Sequence, residues 1–290
     1  MNEPFTPDGP VAPARAHRIL FRTGAFFAGW VAFFCYIEGF LERNPGLPFQ
    51  APPLHVRTIA SLYMGGLVMM ALAARAQTLS ATRIPTVVAG LYTGLLLLVS
   101  LLHLDMVELV LPEGEPPLWG LDWLPMVSWF WFALYALCPV VVFRLLQTYW
   151  SASVALVKDP LPWALRIALG LLAFTGGSFA LILLLAPELG VGLWPWNVTP
   201  FLLQIYAGPF LAFAVAGGMM AAAKDMEDTR IPAAGLATFA FFAIGASILY
   251  LHVLQPFGPA ALGWLGFLLV LLLVSIAAYR QSTRSKEGQG

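Results

Sequence analysis

Ile84 to Leu104 reads IPTVVAGLYTGLLLLVSLLHL, 21 residues without one Asp, Glu, Lys or Arg. The hydrocarbon core of a bilayer is crossed by about 20 apolar residues in helical conformation, so this stretch predicts a membrane-spanning helix. The same reading predicts seven more spans, at 19–41, 56–75, 124–147, 162–187, 200–223, 231–255 and 260–280. The expected fold class is therefore all-α and polytopic, with eight helices. Residues 1–18 read as a disordered cytoplasmic arm, 148–161 as a linker and 281–290 as a polar tail. Glu3, Asp8 and the length of the first apolar run argue against a secretory signal.

Composition agrees with that class. Of 290 residues, 60% are hydrophobic and 10% charged, and the mean hydropathy is +0.81. Soluble domains carry about 25% charged residues, so a soluble globular protein is excluded. The net charge is zero, which leaves no electrostatic footprint for nucleic acid. The expected partners are the lipid bilayer and other membrane subunits. Cys35 and Cys138 form no Cys-x-x-Cys pair, so neither a disulfide scaffold nor a structural zinc site is expected.

Basic residues give the orientation. With eight spans, Arg15, Arg18, Arg22, Arg75, Arg83, Arg144, Lys158, Arg166, Lys224, Arg230, Arg280, Arg284 and Lys286 share one side with both termini. Arg43 and Arg57 take the other. The positive-inside rule then places both termini in the cytoplasm, and the expected location is a bacterial inner membrane. The outer loops carry Glu42, Asp105, Glu108, Glu113, Glu115, Asp122 and Glu188, and Trp119, Trp123, Trp194 and Trp196 fit an outer aromatic belt.

Thr82-Arg83-Ile84-Pro85 returns as Thr229-Arg230-Ile231-Pro232, an offset of 147. At the same offset Pro48 meets Pro195, Phe49 meets Trp196, Gln50 meets Asn197, Pro53 meets Pro200 and Ser100 meets Ser247. The repeated unit holds four spans, an even number. The halves 19–147 and 162–280 are therefore expected to be parallel repeats about a pseudo-two-fold axis along the membrane normal. Pro85, Pro232, Pro53 and Pro200 are each expected in a first helical turn, where a missing N–H costs nothing.

Ionisable groups at membrane depth cost about 2.5–3.5 kcal/mol each and are functional candidates by default. Glu38 lies near the outer end of helix one, His55 and Arg57 open helix two, and His103, Asp105 and Glu108 close helix three. At the repeat offset the last three become Tyr250, His252 and Gln255. These nine residues are expected to line an outward-facing polar cleft between the halves. Imidazole and carboxylate from His55, His103, His252 and Glu38 suit zinc, iron, nickel or copper. His103 and His252 would alternatively hold a haem iron from both sides, or titrate near neutral pH. The competing reading is a set of polar groups at the water interface.

Other features are weaker. Asp225 and Asp228 form an Asp-x-x-Asp that a magnesium-dependent lipid-modifying enzyme would use, but the matching loop Gln77–Ala81 has no acid. Trp129-Phe130-Trp131-Phe132 would stack on a pigment or quinone, or simply face lipid or core. Gly65-Gly66, Gly176-Gly177 and Gly217-Gly218 allow close helix packing. Cys35 reads as a small buried hydrophobe, and His17 as a solvated residue of the arm. His-Glu-x-x-His, Gly-x-Ser-x-Gly, a P-loop, histidine boxes and an intramembrane lysine are all absent from the sequence.

Leu102-His103-Leu104-Asp105, the aromatic helix with Tyr135 and Pro139, and Trp194-Pro195-Trp196-Asn197-Val198-Thr199-Pro200 together resemble a group of uncharacterised bacterial polytopic membrane proteins. The resemblance implies the same topology and no particular activity. The expected function is binding of a small or hydrophobic ligand, or a membrane partner, at the outer cleft, as an accessory subunit or small-solute transporter. Haem or metal redox chemistry at His103 and His252 is the alternative, and the magnesium enzyme at Asp225 and Asp228 is the second.

Overall fold

The computed structural model describes residues 11–36, 46–107, 109, 123–150, 159–254 and 258–287. Among them the regular elements are all helical: α1 (Arg15–Tyr36), α2 (Pro53–Ala73), α3 (Ser80–Leu102), α4 (Trp123–Tyr149), α5 (Trp163–Leu185), α6 (Pro187–Leu193), α7 (Pro200–Ala222), α8 (Glu227–Leu249) and α9 (Pro259–Glu287). A single 3-10 turn follows α3 at Leu104–Met106. All but α6 are long and apolar enough to cross a membrane. The short α6 was not foreseen. It starts on Pro187, which breaks away from α5.

Burial sorts the eight long helices into two layers. In α2, α3, α7 and α8, 44–61% of the apolar window is buried, against 17–28% in α1, α4, α5 and α9. The first four form the centre, and the second four turn Phe26, Trp129, Phe143, Phe174 and Leu185 outward. Side chains that would be unfavourable against water are at home against lipid, so outward phenylalanines need no partner in a bilayer.

The central helices pair across the chain. α2 lies on α8, and α3 lies on α7. The outer helices attach in order: α1 to α2, α4 to α3, α5 to α7 and α9 to α8. At the α2–α8 joint backbone meets backbone. A Cβ on Gly65 would stand 2.8 Å from the Gly235 carbonyl oxygen, and one on Gly235 would stand 3.0 Å from that of Gly65. Two glycines let the backbones meet there. Gly217 likewise backs onto Ala173 of α5 at 3.3 Å.

Two local bonds recur along the chain, the first at the spacing of 147 and the second with its serines 147 and its indoles 133 apart. Thr82 Oγ1 donates to the Leu79 carbonyl at 2.7 Å, and Thr229 Oγ1 to that of Met226 at 2.7 Å. The Trp131 indole donates to Ser100 Oγ at 3.1 Å, and the Trp264 indole to Ser247 Oγ at 3.0 Å. Each indole ties the fourth long helix of its half to the third.

The structure corrects five local expectations. Pro53 and Pro200 do open their helices, but Pro85 and Pro232 sit inside α3 and α8, which begin at Ser80 and Glu227. Arg15 and Arg18 belong to α1 and not to a loose arm. His17 is 3% exposed, packed edge-on to Tyr149 with ring centres 5.1 Å apart. The tail stays helical as far as Glu287, since nothing after Arg280 breaks α9. Trp194 and Trp196 form no outer belt. They are 4% and 3% exposed, because residues 194–199 fold back into the end of the bundle. The loop before α2 does the same with Leu47 and Phe49. Trp119 lies outside the described residues.

Of the described Lys and Arg residues, Arg57 alone lies at the end of the bundle that holds these tucked loops. The others lie at or near the opposite, basic end.

Candidate functional site

The nine expected cleft residues are sorted by their contacts into separate places. Glu38, Glu108 and Gln255 lie outside the described residues. Arg57, Tyr250 and His252 form one cluster. The Arg57 guanidinium lies 4.8 Å from the centre of the Tyr250 ring, and the His252 ring stands 5.9 Å from the same ring. His103 belongs to another contact. Its Nε2–H donates to Gln204 Oε1, and the Gln204 amide nitrogen donates to the Leu184 carbonyl at 2.9 Å. Asp105 is exposed on the 3-10 turn. The two contacts are counterparts: Arg57 and Gln204 are 147 apart, and so are His103 and Tyr250. Each joins the start of a central helix in one half to the end of a central helix in the other.

His55 is 1% exposed and fully engaged. A carbonyl oxygen only accepts, so Nε2 carries the proton and donates to Asn197 O at 2.9 Å. Nδ1 faces the Tyr206 hydroxyl at 3.0 Å and the Trp196 indole N–H at 3.4 Å. The imidazole is a strut between α2, α7 and the folded-back loop, with no nitrogen left over for a metal. Among the described residues, no three His, Cys, Asp or Glu side chains converge as metal ligands would.

The two acids of the Asp-x-x-Asp also part company. Asp225 Oδ1 accepts the Glu227 N–H at 2.8 Å, a local turn. Asp228 is 1% exposed and pairs across the halves with Arg83, Oδ2 to Nη2 3.4 Å. The Arg83 guanidinium also lies 5.5 Å from the Trp150 ring centre. A carboxylate so placed holds α8 to α3, and it does not stand open beside Asp225.

Two cavities lie deeper. One, of about 410 Å³, opens among α1, α2, α3 and α4. The other, of about 280 Å³, lies among α5, α7, α8 and α9. Their walls correspond. Tyr63, Met70 and Tyr92 of the first stand where Phe210, Gly217 and Phe239 stand in the second. On the fourth helix Phe130, Trp131 and Cys138 stand where Gly263, Trp264 and Leu271 do, at a spacing of 133. Phe213 lines both cavities.

The walls differ in one kind of atom. Three tyrosines, Tyr63, Tyr92 and Tyr135, line the first cavity. The residues in their places are Phe210, Phe239 and Leu268. The Tyr63 and Tyr135 hydroxyls bond each other. Tyr92 meets Tyr63 edge-on with ring centres 5.5 Å apart, and its buried hydroxyl faces the Tyr63 hydroxyl without a hydrogen bond of good geometry. A hydroxyl satisfied only so poorly costs up to about 1–3 kcal/mol, and a bilayer supplies no water to relieve it.

The rim of this cavity is apolar and outward-facing. Ile19 of α1 and Phe130 and Leu137 of α4 line it and are exposed on the lipid side. The aromatic run in α4 therefore divides. Trp131 faces the cavity at 4.3 Å from the Tyr135 ring centre, Phe130 sits on the rim, and Trp129 is exposed. Sequence reasoning passed over the tyrosines because a tyrosine in an apolar span counts as apolar. The signal was present: at the repeat offset, Tyr63 against Phe210 and Tyr92 against Phe239 keep the ring and change the hydroxyl. No protein-family model, characterised protein or solved structure matches the chain.

Proposed function

We propose that this chain is a multi-pass protein of the bacterial inner membrane that binds a lipid-soluble ligand bearing a hydrogen-bond acceptor, in the cavity of its first half. One observation carries the reading: a cavity lined by three tyrosines, one hydroxyl of which is buried without a well-formed hydrogen bond, at positions where the repeat offset gives Phe210, Phe239 and Leu268. A ligand carbonyl would accept from Tyr92 and remove the cost of burial. The tyrosines lie near the middle of their helices, far from the interfaces where lipid esters sit. A ligand whose polar atoms reach that depth is a quinone-like carbonyl compound, flat enough to lie beside Trp131. The exposed rim between α1 and α4 gives it access from the bilayer. We assign it no reaction.

The same reading takes the halves as parallel repeats about an axis along the membrane normal, with the basic end and both termini in the cytoplasm. The paired Trp–Ser bonds, the crossed contacts Arg57–Tyr250 and Gln204–His103, and the crowding of basic residues at one end support this. An accessory or carrier role in a larger membrane system fits a binding site without energy-coupling motifs.

The test uses the purified full chain in nanodiscs, titrated with a decyl-substituted benzoquinone by isothermal calorimetry. Saturable binding is expected, weakened about tenfold in Tyr92→Phe. Equal affinity for both proteins would overturn the assignment of Tyr92, and no saturable binding would overturn the ligand class.

A further inference from the structure

We propose that the second cavity holds one acyl chain of an ester lipid, with the ester carbonyl accepting from the Trp194 indole. This site shares Phe213 with the tyrosine cavity, but the atoms it rests on are different. Its wall is hydrocarbon and aromatic ring almost throughout, from Leu169 and Leu172 to Phe179, Phe239 and Phe267. Two donors interrupt it, the Thr175 hydroxyl on the outward side and Trp194 Nε1, and the second, in a side chain 4% exposed, has no hydrogen-bond partner. The indole is not free to turn in search of one. It stacks on Tyr206 at 4.9 Å and 16° and on Phe179 at 6.1 Å and 5°, and Trp196 closes it edge-on at 5.1 Å.

Position decides the ligand class. Trp194 follows α6 and precedes α7, so it lies at the end of the bundle where the helices finish. Its ring reaches about two turns below that end, against Phe179, Tyr206 and Phe210, just beneath the level at which lipid ester groups sit. From there the lining descends along α5 from Phe179 to Leu169, ten residues and about 15 Å at 1.5 Å per residue. One donor at the interface with an apolar trough below it matches a carbonyl and its chain. It does not match a head group that needs several bonds. Thr175 of α5 and Gly263 of α9 are lining residues that face outward, which gives the chain a side opening to lipid.

The test is photolabelling of the full chain in nanodiscs with two probes of equal length. One is a diazirine-bearing fatty-acid methyl ester, and the other is the diazirine alkane without the carbonyl. Labelled peptides are located by mass spectrometry. The ester is expected to label α5 and α9 about fivefold more than the alkane does. Trp194→Phe is expected to bring ester labelling down to the alkane level while alkane labelling stays, which also shows that the variant folds. Gly263→Leu is expected to reduce labelling by both probes, because Gly263 stands at the side opening and a longer side chain there narrows the way in. Competition by an unlabelled diacyl phospholipid supports the ester assignment, and competition by free fatty acid alone overturns it. Equal labelling by ester and alkane in the unmodified chain, or ester labelling unchanged in Trp194→Phe, overturns the role of the indole. Tyr92→Phe leaves all of these labels unchanged, so failure of the quinone reading and failure of this one are told apart.

Discussion

Each half of the molecule encloses a cavity between one pair of central and one pair of outer helices, yet only the first is furnished with phenol groups. Tyr63 and Tyr92 stand where the wall of the second cavity has Phe210 and Phe239, and Tyr135 where the offset of 133 gives Leu268. The common part of each pair, an aromatic ring at positions 63/210 and 92/239, is what packing requires. Phe210 and Phe239 show that the wall closes around plain rings. The hydroxyls are therefore not needed to fill space, and one of them is a burden to the fold, since the Tyr92 hydroxyl makes no well-formed hydrogen bond. A burden kept in one half and missing from the other is what a ligand in the first cavity would explain.

The comparison breaks most severely at the α2–α8 joint, where the two halves meet. Gly65→Val puts side-chain atoms into the Gly235 carbonyl oxygen and Phe239 Cβ, already 2.8 and 2.9 Å from a bare Cβ. A loss of about 3 kcal/mol, or of folded protein altogether, is expected in denaturation of the purified chain. Gly66→Ala, whose Cβ meets only Ala28 at 4.0 Å, is expected to leave stability unchanged. If the two variants behave alike, α2 and α8 do not meet as described.

The reverse substitution sharpens the contrast between the cavities. Phe239→Tyr adds a hydroxyl to the second half where no tyrosine pair receives it. It is expected to cost about 2 kcal/mol, read as a lowered midpoint of thermal unfolding. No loss of stability would mean that the wall tolerates phenols at no cost, and Tyr92 would lose its meaning.

The smallest expected effect concerns what the halves have in common. Ser100→Ala and Ser247→Ala each remove the acceptor of a buried indole, Trp131 or Trp264. About 1 kcal/mol is expected for each, and nearly the same for both. Values that differ by more than twofold would argue that the two bonds are not counterparts.

The eight spans were legible because a bilayer demands about 20 apolar residues in a row, and that demand is written in composition alone. What composition does not carry is direction. Trp194 and Trp196 look like interfacial residues from their position after a span. They turn inward because His55 offers Trp196 an acceptor and Asn197 receives the imidazole proton. His17 looks solvated from its neighbours Arg15 and Arg18, but α1 begins early enough to lay it against Tyr149. Of the polar residues expected at the span ends, Arg57, His103, Asp105, Tyr250 and His252 are described, and they lie at or next to helix ends. Their assembly into a single cleft was not readable, because a helix end says nothing of which neighbour it meets. Arg57 meets Tyr250, and His103 meets Gln204. The tyrosine cavity was missed for the opposite reason: its polar atoms hide within side chains that count as apolar.

The most direct measurement makes the first cavity a copy of the second. The variant Tyr63→Phe/Tyr92→Phe/Tyr135→Leu is compared with the unmodified chain in nanodiscs, by thermal unfolding and by calorimetric titration with the decyl-substituted benzoquinone. The account predicts that the variant stays folded and loses saturable binding, which the unmodified chain retains. A variant that binds the quinone as tightly as the unmodified chain would contradict it.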